Sequence, residues 1–401
     1  MEKGYRAYLD NAATEEVEEY AYERALEYMR EHWYNASTYY GVKEREKIEE
    51  VREYLVRCVV GDELAGEYGA IFTSGGSESN EIAGKLAFKA AKDLMSGESG
   101  IFFSEWKAFP RMDVVEHDSV LRGFGGEDEP EFIGLLTDAY GRVEIEKEEV
   151  RNEVRDSLVS VMHVNNETGA VNDIERIGGL NGIGIFHSDG VQGFGKVPLR
   201  FKEGIDLYSI AGHKIGAVKG IGALIYSKSL FECCRNELIS QEGGYRGGTE
   251  NLLGIVNLGE VLRGMTERND PRTFYAMTEG ARQTRQVLKD MLIGRLNAHE
   301  IEYELLSPEG GSPYIVTISL VGESGTLIQR MLYEKYNVIV GTGSACHAGR
   351  DSRVLEALGY GKKVRSGALR FSFSRRTTAQ EVVYAIDCLK AVLNELHAHR
   401  K

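Results

Sequence analysis

Lys214 sits in Gly212-His213-Lys214-Ile215-Gly216, a turn of mostly small residues between two short apolar runs of Asp206–Tyr226. An amine among small and apolar neighbours is costly to charge, so its pKa falls and the neutral, nucleophilic form becomes available. Such an amine can form a Schiff base with an aldehyde. Taken alone, the pattern fits a solvated turn lysine better, and the rest of the sequence has to decide.

Polar residues with chemical potential recur where other apolar runs end. Leu158–Val164 ends in Asn165-Asn166-Glu167-Thr168-Gly169, and Ile183–His187 ends in Ser188-Asp189-Gly190-Val191-Gln192. Gly69–Asn80, GAIFTSGGSESN, reads as a strand, a double glycine with Ser77 at an N-cap, and a helix continuing over Ile82–Met95. A strand–Gly-Gly–helix junction offers backbone N–H groups and a positive dipole end to a phosphate, although a plain helix cap has the same signature. It is neither a Walker A loop nor GxGxxG.

The elements that must position these residues follow from periodicity. Glu15–Glu31 and Val42–Val60 read as amphipathic helices around the aromatic loop HWYNASTYYG (32–41), and Ile101–Ser104 and Ile133–Leu136 as further strands. Strands with polar C-terminal ends and helix-length spacers predict a mostly parallel α/β sheet with helices on both faces. Ligands of such sheets bind at the strands' C-terminal ends, where Asn166, Asp189, Gln192, His213 and Lys214 all fall.

From about Gly264 the pattern changes. A helix at Pro271–Leu296 with Asp270 as N-cap precedes a strand at Tyr314–Val321 and a helix at Gly325–Tyr336. Strands at Val338–Val340 and Leu369–Ser374 follow, then a helix opened by the capping box Thr378-x-x-Glu381. This predicts a smaller α+β C-terminal domain. The expected division is a large domain of 15–263 and a small one of 1–14 with 264–401.

Composition narrows the function classes. With 401 residues, 42% hydrophobic and 27% charged, the chain has the profile of a soluble globular protein. A net charge of −14 argues against general nucleic-acid binding. No run approaches the roughly 18 apolar residues of a membrane span, and the opening residues carry no signal-peptide pattern. A cytoplasmic protein without membrane association is expected. Cys58, Cys233, Cys234, Cys346 and Cys388 show neither metal-ligand spacing nor disulfide-framework density. No metal is expected, and Cys58, Cys233, Cys234 and Cys388 read as structural. Cys346 fits either a buried apolar residue or a reactive thiol.

These groups suit one cofactor, pyridoxal 5'-phosphate (PLP). Lys214 can take the aldehyde, and Asp189 can keep the pyridine nitrogen protonated. Gln192 and Asn166 can hydrogen-bond the phenolic oxygen, and Gly75, Gly76 and Ser77 can hold the phosphate.

The chain resembles the cysteine desulfurases, PLP enzymes of fold type I in the class V aminotransferase group. The resemblance runs through YLDNAAT (8–14), FTSGGSESN (72–80), EHDSVL (116–121), HVNNETGAV (163–171), HSDGVQGFGK (187–196), GHKIGAVKGIGALIY (212–226), QEGGYRGGTEN (241–251), GTGSACHAG (341–349) and LRFSFSRRTT (369–378). It implies that Lys214 holds PLP and shuttles the substrate's α proton. It further implies that Gly76, Ser77 and His213 contact the phosphate, and that Thr249 reaches the phosphate of the other subunit in a homodimer. Arg370, helped by Asn35 and near Asn166, clamps the carboxylate of L-cysteine. Cys346 takes the sulfur as a persulfide and passes it to a protein acceptor, with L-alanine released. The acceptor could serve Fe–S cluster assembly, tRNA thiolation or DNA phosphorothioation. The Gln241–Gly244 segment is similar to that of desulfurases in DNA sulfur modification.

Four features depart from the family pattern. Its ring-stacking, proton-transferring histidine has two candidate positions here, His117 in EHDSVL and Trp106 at the usual distance from the glycine pair. His117 is the better local match and implies an insertion of about ten residues around Glu105–Val115. Ala211 stands where a phosphate-binding serine is common, and Gly243 where an arginine is common. Ala36 follows Asn35 where proline is usual. Two other readings stay open: a class V aminotransferase or selenocysteine-lyase-like enzyme that does not use Cys346, and a degenerate desulfurase serving as a scaffold in a sulfur-transfer complex.

Overall fold

A computed structural model describes residues 5–96, 110–125, 131–201, 204–342 and 352–398. Its strands are β1 (Ala7–Leu9), β2 (Tyr68–Thr73), β3 (Arg111–Asp113), β4 (Ile133–Leu135), β5 (Leu158–Ser160), β6 (Ile185–Asp189), β7 (Leu207–Ala211), β8 (Gly222–Ser227), β9 (Glu304–Leu305), β10 (Ile315–Ser319), β11 (Val338–Val340) and β12 (Ala368–Ser372). Seven of them form one sheet in the order β2-β8-β7-β6-β5-β3-β4. Strand β8 pairs antiparallel with both neighbours, and every other pairing is parallel. The remaining six strands therefore point the same way, and their C-terminal ends share one edge.

Side chains alternate across this sheet because strand residues point to opposite faces in turn. Ile71, Leu207 and Leu224 face a core layer with Ala83, Ala87 and Ala90 of the helix Gly76–Ser96. Phe72, Tyr208, Ile210 and Ile225 face the other layer, against Val51 and Leu55 of the helix Val42–Val60 and Ile255 of the helix Leu252–Gly264. Small alanines on the helix Gly76–Ser96 let it lie close to the sheet, which brings its N-terminus to the strand edge.

A separate core joins Leu9 to Val316, Val340 and Phe371 and to the helices Phe274–Ala298 and Ala379–Ala398. It is built on the antiparallel sheet β12-β10-β9 and the parallel pair β1-β11. The capping box holds as expected. Thr378 N–H donates to Glu381 Oε2 at 2.8 Å, and Glu381 N–H donates to Thr378 Oγ1 at 3.2 Å.

Local expectations shift in three places. The first helix starts at Glu19, not Glu15. Glu15 N–H bonds to His213 O at 2.9 Å and Glu18 N–H to Gly216 O at 2.8 Å, so tertiary acceptors hold the segment extended. The strand beside β5 is Arg111–Asp113, a polar sequence with no hydrophobic signal; Arg111 is paired with Glu153 at 3.2 Å. Ile101–Ser104 lies outside the described residues. Ser77 lies inside the first helical turn, because the helix begins at Gly76.

Glu167 ties the two cores together: its carbonyl accepts from Thr317 Oγ1 at 2.5 Å, and its carboxylate accepts from Ser352 Oγ. Burial raises its carboxyl pKa to about 7, against the pull of Ser352 and Arg370. A raised carboxyl favours the folded state when protonated. That contribution is complete below the ordinary carboxylate range and is lost as pH rises through about 7. Glu167→Gln keeps an acceptor for Ser352 and cannot ionise. Thermal denaturation will show it gaining stability relative to the parent near pH 8 compared with about pH 5. A difference that does not change with pH would contradict this.

Candidate active site

Turns at the shared strand edge enclose a cavity of about 370 Å³. Gly76, Ser77, His117, Asn166, Asp189, Gln192, His213, Lys214 and Arg370 line it. A cavity of larger volume, about 550 Å³, lies elsewhere, lined by Arg52, Arg57, Lys228 and Glu242 among others. It has none of the strand-end groups, so chemistry rather than volume places the site in the smaller one.

Lys214 closes the short helical turn Gly212–Lys214 directly after β7. Its Nζ donates to Ala12 O at 2.6 Å and Ala13 O at 2.8 Å. The expected apolar surroundings therefore include two backbone carbonyls. Asp189 ends β6 and is 5% exposed. Its Oδ1 accepts from Val191 N–H at 2.9 Å and its Oδ2 from Asn80 Nδ2 at 2.8 Å.

Asn80 extends this into a chain of bonds by also donating to Ser119 Oγ at 2.9 Å. Ser119 Oγ lies 2.8 Å from His117 Nδ1, and Ser119 N–H donates to the same nitrogen at 3.2 Å. With Nδ1 accepting, a neutral His117 carries its proton on Nε2. Burial lowers the His117 pKa, opposed by Asp189 and Asp118.

Gly76 opens the helix Gly76–Ser96, and a Cβ there would meet Val191 Cγ2 at 2.5 Å. The first-turn N–H groups have no partner within the helix and carry its positive dipole end. His213 Nδ1 lies 3.2 Å from Thr14 Oγ1. Burial and then Lys214 lower its pKa to about 4, so it acts as a neutral hydrogen-bonding group at neutral pH. Ala211 turns a methyl group toward the same cavity.

Arg370 on β12 is 2% exposed. Its Nη1 donates to Asn166 O at 2.7 Å and its Nη2 pairs with Asp10 Oδ1 at 2.9 Å. Gly341 packs on this pair: a Cβ there would stand 2.6 Å from Asp10 Oδ1 and 3.0 Å from Arg370 Nε.

Other expected residues lie apart. Gly75 adjoins the cavity without lining it. Asn35 is exposed on its loop and caps its own turn, its Oδ1 accepting from Ser37 N–H at 2.8 Å. Thr249 is exposed and does not line this chain's cavity. Cys346 and Trp106 lie outside the described residues.

Sequence reasoning missed Asn80, Ser119, Asp10 and the buried pair Lys196–Glu15, which is 3.2 Å apart with side chains 4% and 6% exposed. Asn80 and Lys196 end two of the matching segments, so their positions were a signal. Asp10 and Ser119 also lie inside matching segments, whereas Glu15 lies outside them and its partner Lys196 is distant in sequence.

The model of the family described as "Aminotransferase class-V" matches residues 134–384. The chain is 32% identical over 414 residues to the cysteine desulfurase IscS of Methanosarcina thermophila, across 97% of this chain and 92% of that one. Among solved structures, a NifS-like protein from Rickettsia africae has a TM-score of 0.78 at 25% identity, covering 97% of this chain and 100% of that one. A structure titled "SspA in complex with cysteine" has a TM-score of 0.68 at 25% identity, covering 93% and 100%. The chain belongs to the class V aminotransferase family and, within it, to the cysteine desulfurases. Its cofactor is PLP.

The residues present fit that cofactor. They supply an amine, a buried carboxylate and a helix N-terminus around one cavity. Three polar atoms of lining residues, Asn80 Oδ1, Gln192 Oε1 and Arg370 Nε, are buried without a hydrogen-bond partner among the described residues.

Removing one partner of a buried ion pair typically costs roughly 3–5 kcal/mol. Asp10→Ala will lose about that much stability in urea unfolding. Asp10→Asn, which keeps an acceptor for Arg370, will lose less. Equal stability of Asp10→Ala and the parent would show that the pair contributes nothing.

Proposed function

We propose that the protein removes sulfur from L-cysteine, releasing L-alanine and holding the sulfur as a persulfide on Cys346 for a protein acceptor. The observation that carries this reading is the convergence of Lys214, Asp189 and Arg370 on one cavity, in a chain whose relatives are cysteine desulfurases. SspA, a structural neighbour, has been solved with cysteine bound.

PLP in this cavity supplies an electron sink for negative charge at substrate carbon. Lys214 Nζ anchors it and moves the proton at the substrate's α carbon. Asp189, fixed by Asn80 and Val191, holds a proton at the pyridine nitrogen. Gln192 and Asn166 orient the phenolic oxygen, while Gly76, Ser77 and His213 hold the phosphate. Ala211 offers no hydroxyl there, so helix N–H groups and Ser77 bear more of that task.

Arg370 binds the substrate carboxylate through its planar fork, and Asn35 joins it only when loop 32–41 lies over the cavity. His117, protonated at Nε2, exchanges a proton with the bound substrate. The Cys346 thiolate then attacks the substrate sulfur. An S–S bond forms, the C–S bond breaks, and its electron pair stays with carbon, which takes a proton to become the methyl group of alanine.

We also propose a homodimer in which Thr249 serves the partner's phosphate site; its exposure outside this chain's cavity supports that reading. No helix among the described residues is long and apolar enough to cross a membrane, and we place the enzyme in the cytoplasm.

The purified PLP-loaded protein, given L-cysteine and a thiol reductant, will form alanine and sulfide in equal amounts. His117→Ala will lower kcat by roughly a hundredfold or more. Cys346→Ala will keep the cofactor absorbance and form no persulfide. No alanine from the PLP-loaded protein would overturn the reaction, and unchanged turnover in Cys346→Ala would overturn the role of that thiol.

A further inference from the structure

The helix that opens at the cofactor site ends beside a second cluster of reactive side chains. Strand β8 pairs Gly222 with Ala211 and Tyr226 with Leu207, so it leaves the sheet at the edge opposite Lys214. The turn Glu232–Cys234 follows it and sets two adjacent thiols against the helix Gly76–Ser96. Asp93 comes sixteen residues after Ser77 on that helix, a rise of about 24 Å. The cluster is therefore remote from the cavity.

Its geometry is that of a chelate. Cys233 Sγ and Cys234 Sγ are 3.9 Å apart. Two thiolates on one tetrahedral zinc, with bonds of about 2.3 Å, stand about 3.8 Å apart. An Asp93 carboxylate oxygen and both sulfurs all lie within 4.8 Å of one another. A sulfur and an oxygen on the same ion stand about 3.5 Å apart, so a modest side-chain adjustment brings Asp93 into place.

Cys234 is 5% exposed whereas Cys233 is exposed, which leaves a solvent side where water can complete the coordination. Exposure also sets Cys233 apart from the structural role its sequence suggested. Lys89 Nζ donates to Cys234 O at 3.2 Å, steadying the turn and placing a positive charge near the thiolates.

We propose that Asp93, Cys233 and Cys234 form a binding site for a borderline-soft divalent cation of the zinc class, with water in the remaining position. Binding releases both thiol protons to solvent as two metal–sulfur bonds form. Both sulfurs bind as thiolates, so affinity rises with pH. Adjacent cysteines lack the spacing that marks common zinc motifs, and Asp93 lies far away in sequence; only folding assembles the set.

Cd²⁺ is the probe, added to PLP-loaded protein carrying Cys346→Ala so that this thiol cannot contribute. The ultraviolet thiolate-to-metal band will saturate at one equivalent and will be displaced by Zn²⁺. Cys233→Ala in that background will abolish the band. Asp93→Asn will weaken Cd²⁺ binding at least about tenfold, the loss typical even for an outer partner of a metal ligand. No saturable band, a band that survives Cys233→Ala, or undiminished affinity in Asp93→Asn would each overturn the site. Cys58, Cys234 and Cys388 are buried, and Cys233→Ala changes an exposed position, so loss of the band will not reflect loss of the fold; circular dichroism checks this.

Discussion

A guanidinium that is 2% exposed needs its charge met inside the protein, and Asp10 meets that of Arg370. This pairing has structural consequences because Asp10 begins the segment that roofs the cavity. Ala12 O accepts from both Lys214 Nζ and Gln192 Nε2, at 2.6 and 2.8 Å. At the other end of the segment Glu15 pairs with Lys196. Two ion pairs thus pin a short stretch at both ends, with a turn at its start in which Ala13 N–H bonds back to Asp10 O, and its carbonyls define where Lys214 Nζ sits. The same pair packs against Gly341, where the chain leaves β11 toward Cys346. Arg370, proposed above to hold the substrate carboxylate, and the start of the segment leading to Cys346 are therefore neighbours through one buried contact.

Beneath the cavity, hydrogen bonds are layered to add order without adding charge. Asp189 is fixed by Asn80, which reaches through Ser119 to His117. Next to them Ser160 donates to Glu116 at 3.2 Å and lies 2.8 Å from His187 Nδ1. Burial pushes the Glu116 carboxyl well up, with Asp113 and Asp189 reinforcing it, and pushes His187 down to about 3. Both shifts favour the neutral forms. In a low-dielectric interior a neutral, hydrogen-bonded layer holds the Asp189 carboxylate in place at little electrostatic cost.

The sheet and the groups at its edge were legible because they depend on local sequence. Apolar runs announced β2, β5, β6, β7 and β8, and the polar residues after them marked one edge. Strand β3 was hidden because Arg-Met-Asp is buried by its neighbours and has no pattern of its own. The start of the first helix was misread because His213 and Gly216 carbonyls hold residues 15–18 extended. Asp10 and Asn80 act through partners that only the fold brings near. Asn35 shows the reverse: a residue singled out by resemblance caps its own turn outside the cavity.

The central claim is that the amine at the end of β7 is the group that holds PLP. The most direct measurement reduces the purified yellow protein with borohydride and maps the labelled peptide. The account predicts one pyridoxyl group per chain, on Lys214, with loss of the visible absorbance. Label on another lysine, or cofactor that dialyses away after reduction, would contradict it.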